Sequence, residues 1–429
     1  MIELQKPEKL PRAVLVGLNT GSSAQRYENS MHELAELAKA CGIEPAASIV
    51  QNTPDVTRAT LIGSGKVHEV LLTIEECSAD LVIFNEALTP MQVRNLEKVF
   101  DTEVLDRTGI ILQIFASRAR TREARLQVES ARLQYMLPRL VGMRRNLGRQ
   151  GGGSRRLSNK GAGEEKLELD RRHIEHQLEV VNARLKEVSR ERQTQRNART
   201  ASGLPLVSLV GYTNAGKSTL MNALLDKAEQ GAADKKVLAK DMLFATLDTS
   251  VRKIRIPGHQ PFLLSDTVGF ISDLPHPLVK AFRSTLEEVR YSDLLLEVVD
   301  CSDEDYEQQI RVTRKTLEDI DAAGIPVLYV YNKADLREDV RIPVFHADHI
   351  WMAAGKGIGI DILLERIDQI IQMQYVEKTL LIPYPEGSVL HDLKEAYPDT
   401  TEEYLPEGIR IRLRLSRKDA ARLARFSYS

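Results

Sequence analysis

Gly211-Tyr212-Thr213-Asn214-Ala215-Gly216-Lys217-Ser218 has the residue types and spacing of a loop that wraps phosphates, and Thr219 extends it into the next element. The glycines let successive backbone N–H groups turn inward, and the helix expected to follow adds its positive N-terminal end. In that geometry Lys217 reaches the β- and γ-phosphates of a nucleotide, and Ser218 places its hydroxyl on magnesium. Downstream lies Asp266-Thr267-Val268-Gly269. Asp266, at the end of a strand-like run, suits a magnesium ion held through water, and Gly269 leaves room for its backbone N–H to approach the γ-phosphate. Further on comes Asn332-Lys333-Ala334-Asp335. The Asp335 carboxylate accepts two hydrogen bonds from the N1–H and amino group of guanine. Adenine offers no such pair of donors and would leave the carboxylate unpaired. In this order the three motifs describe one site for GTP and magnesium.

Two further positions bear on hydrolysis. Thr246, within Phe244-Ala245-Thr246-Leu247-Asp248, lies in the polar stretch after the first helix of that region. It is the expected switch threonine, binding magnesium only while the γ-phosphate is present, with Thr249 as its competitor. Lys217, Thr246 and Gly269 are thus the residues expected to carry hydrolysis, and Ser218, Thr246 and Asp266 the metal. Phe270 stands where many GTPases place a water-orienting glutamine. A phenyl ring makes no such hydrogen bond, so unassisted turnover is expected to be slow, on the order of 10⁻³ per second or below.

The elements that position these residues follow from hydrophobic periodicity. Residues 1–115 alternate short buried-strand runs (Ala13 to Leu18, Leu81 to Phe84) with amphipathic helices near 29–40 and 90–100, which predicts a small α/β domain. Residues 116–200 change period. Leu126, Leu133, Leu140 and Leu147 recur every seven, as do Leu167, Ile174, Val181 and Val188. The spacing predicts a hairpin of two long helices, the first kinked or ended by Pro138. Its tip is a loop over 148–163 with six glycines and four basic residues. Residues 201–375 read as the GTPase domain, a mostly parallel sheet with strands near 206–210, 262–265, 294–299 and 327–331, covered by helices near 217–226, 303–323 and 358–374. Residues 376–429 predict a small α+β tail. The fold class is multidomain α/β. Leu61-Ile62-Gly63-Ser64-Gly65-Lys66-Val67 imitates a second phosphate loop but has Thr60 at the first glycine position and Val67 at the hydroxyl position, so it reads as strand, turn and helix.

The net charge of −2 hides an asymmetry. Residues 116–200 carry 21 Lys and Arg against 10 Asp and Glu, whereas the rest of the chain is acidic. Arg118, Arg120, Arg122, Arg125, Arg144, Arg145, Arg149, Arg155, Arg156 and Lys160 gather on or beside the hairpin tip, a pattern that suits RNA phosphates. Few aromatic residues are interleaved, so base stacking is a weak expectation. Cys41, Cys77 and Cys301 form no CxxC pair, which fits a reducing compartment and gives no metal site. The N-terminus has no apolar leader, and no run approaches a membrane span, so a cytoplasmic protein is expected. No feature points to DNA or to integral membrane contact, and nothing resembles the insertion helix of a membrane-remodelling GTPase.

At these residues the chain resembles the HflX family of ribosome-associated GTPases, within the Obg-HflX superfamily, over essentially its whole length. The likeness rests on Val210 to Leu220, Phe244 to Asp248 and Asp266 to Ile271. It also rests on Asp106-Arg107-Thr108-Gly109 with the run to Ala116, and on Gly163-Glu164, Leu167-Glu168 and Asp170-Arg171-Arg172. The resemblance implies GTP hydrolysis coupled to binding the 50S subunit, with the basic hairpin loop approaching the peptidyl-transferase region of 23S rRNA and the protein splitting or rescuing stalled 70S ribosomes. An assembly factor, or an RNA-binding scaffold with regulatory nucleotide, is the alternative. Two departures are visible. Where the family loop usually reads G-P-G-E, this chain has Gly161-Ala162-Gly163-Glu164. The Ser-Ala motif that supports the base is Ala353-Ala354, so a hydroxyl is missing and backbone groups are left to serve.

Overall fold

Two runs of apolar residues, each just long enough for a strand, bury every side chain they carry: Ala13 to Val16, and Leu81 to Phe84. Strands covered on both faces read this way, and the arrangement that covers both faces is a parallel sheet with crossover helices. The computed structural model describes residues 10–147, 157–201, 204–228, 244, 250–271, 287–373, 375–397 and 400–428. They divide into two compact units, the first holding residues up to 186 together with Phe244, the second the remainder.

In the first unit, strands β1 (Arg12–Asn19), β2 (Glu44–Asn52), β3 (Leu81–Phe84) and β4 (Glu103–Asp106) form a parallel sheet in the order β2-β1-β3-β4. Helices α1 (Ala24–Ala40), α2 (Ser64–Cys77), α3 (Pro90–Phe100) and α4 (Arg107–Arg118) connect and cover it. Their starts are written in the sequence. Ser23 caps α1, and Thr89 and Gln92 form a reciprocal capping box ahead of Pro90 on α3. The false phosphate loop is a turn, with Leu61 at φ 68°, leading into α2.

The hairpin helices are α5 (Arg122–Leu147) and α6 (Leu157–Ala201). Leu126 and Leu133 of α5 and Ile174 and Val181 of α6 are buried, as the seven-residue period requires. The Ser130 hydroxyl lies 3.2 Å from Asn182 Oδ1. Of the two alternatives for Pro138, ending the helix is excluded, because α5 runs on to Leu147. One expectation needs correction: the tip is shorter than 148–163, because α6 begins at Leu157 and includes Gly161 and Gly163. A glycine costs a helix only about 1 kcal/mol relative to alanine, too little to stop a long one. The remaining tip, 148–156, and with it Arg149, Arg155 and Arg156, lies outside the described residues.

Asp106 ties these layers together. Its buried carboxylate caps α4 through Gly109 N (2.8 Å) and accepts from Leu88 N (3.0 Å). It also accepts from Tyr135 Oη (2.7 Å) and pairs with Arg139 (2.9 Å), both on α5. Arg107 turns the other way, donating to Asn85 Oδ1 (2.9 Å) and pairing with Glu33. A side chain at Gly109 would put its Cβ 2.9 Å from Tyr135 Oη, so this position has no room for one.

The second unit is built on a seven-stranded sheet of β5 (Leu206–Val210), β6 (Ser250–Ile254), β7 (Phe262–Asp266), β8 (Leu294–Asp300), β9 (Val327–Asn332), β10 (Val344–His346) and β11 (His349–Trp351). The order is β10-β11-β9-β8-β5-β7-β6, parallel except at the two edges. Helices α7 (Lys217–Lys227), α8 (Tyr306–Asp319) and α9 (Ile360–Met373) belong to it, and Leu220, Leu224, Leu363 and Ile367 share one apolar core with Leu209, Val298 and Val330. A second sheet, β12 (Tyr375–Ile382), β13 (Thr401–Leu405) and β14 (Gly408–Ser416), is antiparallel in the order β12-β14-β13. It packs with α10 (Gly387–Ala396) and α11 (Arg417–Arg422) around Ile411, Leu413 and Leu393.

Candidate nucleotide site

β5 delivers the chain into the 211–218 loop, and α7 begins at Lys217 with Gly216 as its N-terminal cap. Two of the glycines are required by space. Gly211 has φ 136°, and a Cβ there would lie 2.2 Å from the Val298 carbonyl oxygen. Gly216 has φ 95°, and its Cβ would lie 2.2 Å from Asn332 Nδ2. Asn214 is also left-handed, at φ 61°. Tyr212, Thr213 and Ala215 are buried in the loop.

The Lys217 ammonium is held inside this loop, donating to the carbonyls of Gly211 (3.0 Å) and Tyr212 (2.6 Å). Burial pushes it down to about 8, opposed by the nearby charge of Asp266. A cation so poorly solvated is poised to gain from anionic oxygens entering the loop. At the next residue, the Ser218 hydroxyl donates to Asp266 Oδ2 at 3.1 Å. Asp266 ends β7, fully buried, in register with Leu209 of β5. A hydroxyl and a carboxylate side by side are hard oxygen donors of the kind magnesium takes. Among the described residues there is no group of three or more His, Cys, Asp or Glu that would hold a metal alone. A magnesium ion here would therefore be completed by nucleotide oxygens and water, its usual arrangement.

The Asp266-Thr267-Val268-Gly269 segment is fastened to the phosphate loop by backbone. Thr213 N donates to Phe270 O (2.7 Å), and Phe270 N donates to Gly211 O (3.1 Å). The Thr267 hydroxyl donates to Leu209 O (2.6 Å). Gly269 passes so close to Thr213 that a Cβ would lie 2.9 Å from its Cα and 3.0 Å from Lys217 Nζ. The Phe270 ring is buried.

Asn332 ends β9 and links three loops. Its Nδ2 donates to Ala215 O (3.0 Å), and its Oδ1 accepts from Ala354 N (2.9 Å). The Ala354 contact uses backbone, so the alanines at 353 and 354 keep this link without a serine hydroxyl. Ala334 is buried and its N–H donates to Met352 O (3.1 Å). Two partners were missed from sequence. Lys333, at φ 58°, pairs with Asp300 at the end of β8 (2.7 Å), and Asp335 pairs with Lys356 (2.8 Å). Neither pairing leaves a spacing signal, because each partner comes from a different strand end or loop.

The structure thus brings together Gly211 to Ser218, with Thr219 in the first turn of α7, Asp266 to Gly269, Asn332 to Asp335 and Ala353-Ala354. Phe244 belongs instead to the first unit, where its buried ring packs edge-on against Phe115 at 4.7 Å between centroids. Ala245, Thr246, Leu247, Asp248 and Thr249 lie outside the described residues.

The chain is similar to known proteins along most of its length. Family models match in sequence order: GTP-binding GTPase N-terminal over residues 28–116, GTP-binding GTPase Middle Region over 118–199, and 50S ribosome-binding GTPase over 206–333. A GTPase HflX from Caldanaerobacter subterraneus is 42% identical over 418 residues, 97% of this chain and 94% of that one. GTPase HflX of Escherichia coli is 37% identical over 391 residues, 89% of either chain. Among solved structures, SsGBP in complex with GDP resembles the chain at 22% identity and a TM-score of 0.48, over 84% of this chain and 98% of that one.

Proposed function

Because the chain belongs to the HflX family of GTPases, we propose that it is a GTP-hydrolysing switch that binds the 50S subunit through its basic hairpin and splits or rescues stalled 70S ribosomes in the cytoplasm. The observation that carries the reading is Asn332, whose single amide joins the phosphate loop to the Ala354 backbone, so that phosphate and base contacts form or loosen together.

In this reading Lys217 leaves its loop carbonyls for the β- and γ-phosphates, and Asp335 exchanges Lys356 for the guanine edge. Ser218, Asp266 and Thr246 would hold magnesium, which would neutralise charge developing on the phosphate oxygens. Gly269 presents its N–H to the γ-phosphate. Phe270 supplies no hydrogen bond to an attacking water, so an ordering partner is required and the ribosome is that partner. No helix among the described residues is long and apolar enough to cross a membrane.

The test is GTP turnover by the full chain alone and with purified 50S, 30S and 70S particles, at two salt concentrations. Stimulation by 50S or 70S particles, weakened by salt, is the expected result. Fast turnover without ribosomes would overturn the partner requirement, and stimulation by 30S alone would overturn the assignment of subunit.

A further inference from the structure

β9 and β11 run parallel, with His349 opposite Tyr329 and Trp351 opposite Tyr331. A parallel crossover ordinarily carries an α-helix that covers one face of the strands it joins. Here the connection over 333–348 holds only a one-turn 3-10 helix, Ala334–Leu336, and the short strand β10. One face of β9 and β11 is buried in the core through Leu328, Val330 and Ile350. The opposite face lacks its covering helix, and aromatic rings stand there. Tyr329 and His349 stack at 5.0 Å, Tyr331 and Trp351 at 5.0 Å, and Tyr331 and His349 at 5.6 Å, all within 15° of parallel. All four are only half-buried. Across β10 the face continues through Val344, opposite Trp351, and exposed His346, opposite His349. On its other side Tyr306 packs edge-on against Tyr331 at 5.9 Å, and Arg314 donates to Tyr329 Oη at 3.1 Å.

The surroundings of this stack are acidic. Asp300, Asp303, Glu304, Asp305 and Glu307 lead into and begin α8 around Tyr306 with no Lys or Arg among them, and Asp348 precedes His349. From Glu297 to Asp348 there are thirteen Asp and Glu against six Lys and Arg. Several of those cations are already engaged: Lys333 with Asp300, Arg337 with Asp339, Arg311 with Glu307. Such a field repels the phosphates of a nucleic acid, whose binding depends on neutralising cations. It attracts guanidinium groups, which favour both aromatic rings and carboxylates. On the other side of β10, where Phe345 lies opposite Ile350, Arg366 of α9 already makes such a contact, over the Phe345 ring at 4.6 Å.

We propose that the aromatic face of β9 and β11 is a docking surface for an arginine-bearing basic segment of a partner protein. It differs from the nucleotide loops in chemistry, and from the basic hairpin in the sign of its charge. Trp351 is the chain's single tryptophan and lies within the face, so its emission reports occupancy directly.

The experiment titrates the full-length protein with three probes while Trp351 emission is followed: a short peptide alternating arginine and glycine, its lysine counterpart, and a ten-nucleotide oligouridylate. The arginine peptide is expected to change the emission saturably and to bind about threefold or more tighter than the lysine peptide, the margin a cation–π contact supplies. The double variant Glu304→Lys/Glu307→Lys, outside the nucleotide site and expected to keep wild-type GDP affinity, should weaken the arginine peptide several-fold. An emission change with oligouridylate but not with peptide would overturn the proposal in favour of an RNA face. Equal binding by wild type and double variant, or no emission change with any probe, would overturn it as well. No ribosome enters the assay, so its outcome is independent of the ribosomal reading.

Discussion

Asn332 and Asp335 lie three residues apart and are expected to fail differently. Asn332→Ala leaves the Ala215 carbonyl and the Ala354 N–H without the partner each has now. An unmet buried hydrogen bond costs about 1–3 kcal/mol, so GDP and GTP affinity should fall together by about 10- to 100-fold. Asp335→Ala removes the carboxylate expected to accept from guanine, together with its half-exposed pairing to Lys356. GTP affinity should fall by a comparable factor while ATP affinity stays where it was, closing the gap between the two nucleotides. Equilibrium titration with fluorescent GDP, GTP and ATP analogues separates the cases, and an Asp335→Ala protein that still prefers GTP would reject the base assignment. Asp106 is a residue of another kind. Its carboxylate serves Gly109, Leu88, Tyr135 and Arg139. Asp106→Ala should lower unfolding stability by about 3–5 kcal/mol, because Arg139 and two backbone N–H groups lose a buried partner. Chemical denaturation measures it, and a change under 1 kcal/mol would show that the node is dispensable.

Among the elements, β8 carries an odd passenger. Its burial is continuous from Leu294 to Val299, yet Glu297 lies within it, 2% exposed, with Oε1 lacking a hydrogen-bond partner among the described residues. Burial pushes its carboxyl up to about 7, while the charge of Arg314 pulls it down. In the unfolded chain the group ionises near 4.5. Between those values the folded state holds the extra proton, so stability is greatest on the acid side and declines as pH rises through the window. Glu297→Gln should remove about 2–3 kcal/mol of that decline between pH 5 and pH 8, seen in urea midpoints, and identical pH profiles for the two proteins would refute the assignment. Glu297 also illustrates what sequence conveys about elements. β9 alternates buried and half-buried residues, whereas strands buried on both faces (β1, β3, β5, β8) announce themselves as apolar runs. β2 does not, because Glu44–Asn52 is mostly half-exposed, and β10 and β11 are too short to show a period. The nucleotide loops were legible because phosphate and guanine chemistry demands glycines, a lysine and carboxylates at fixed spacing. Lys356 on Asp335 and Asp300 on Lys333 were not, because tertiary pairings between charges from separate loops follow no spacing. The helical start of α6 at Leu157 was hidden by glycines that read as loop.

At the scale of the whole molecule the decisive feature is the separation of charge. The middle region, with 21 basic and 10 acidic residues, is the part suited to a polyanion, and the acidic remainder opposes indiscriminate binding by the rest of the chain. If the hairpin meets 23S rRNA, its basic residues displace counterions, and the logarithm of the 50S binding constant falls linearly with the logarithm of salt. Replacing Arg149, Arg155 and Arg156 together by Gln should make that line shallower by about 0.7–0.9 for each phosphate that is no longer neutralised. The same variant should bind GTP as the wild type does, because none of the three belongs to the phosphate, magnesium or guanine motifs. Its ribosome-stimulated hydrolysis should drop in proportion to its reduced occupancy of the subunit, recovering at higher subunit concentration. Two measurements on one variant thus distinguish the possibilities. A shallower line with intact GTP binding places the RNA interface at the hairpin tip. An unchanged line with unchanged affinity removes the tip from the interface, leaving other basic residues such as Arg118, Arg120, Arg122 and Arg125 to account for binding.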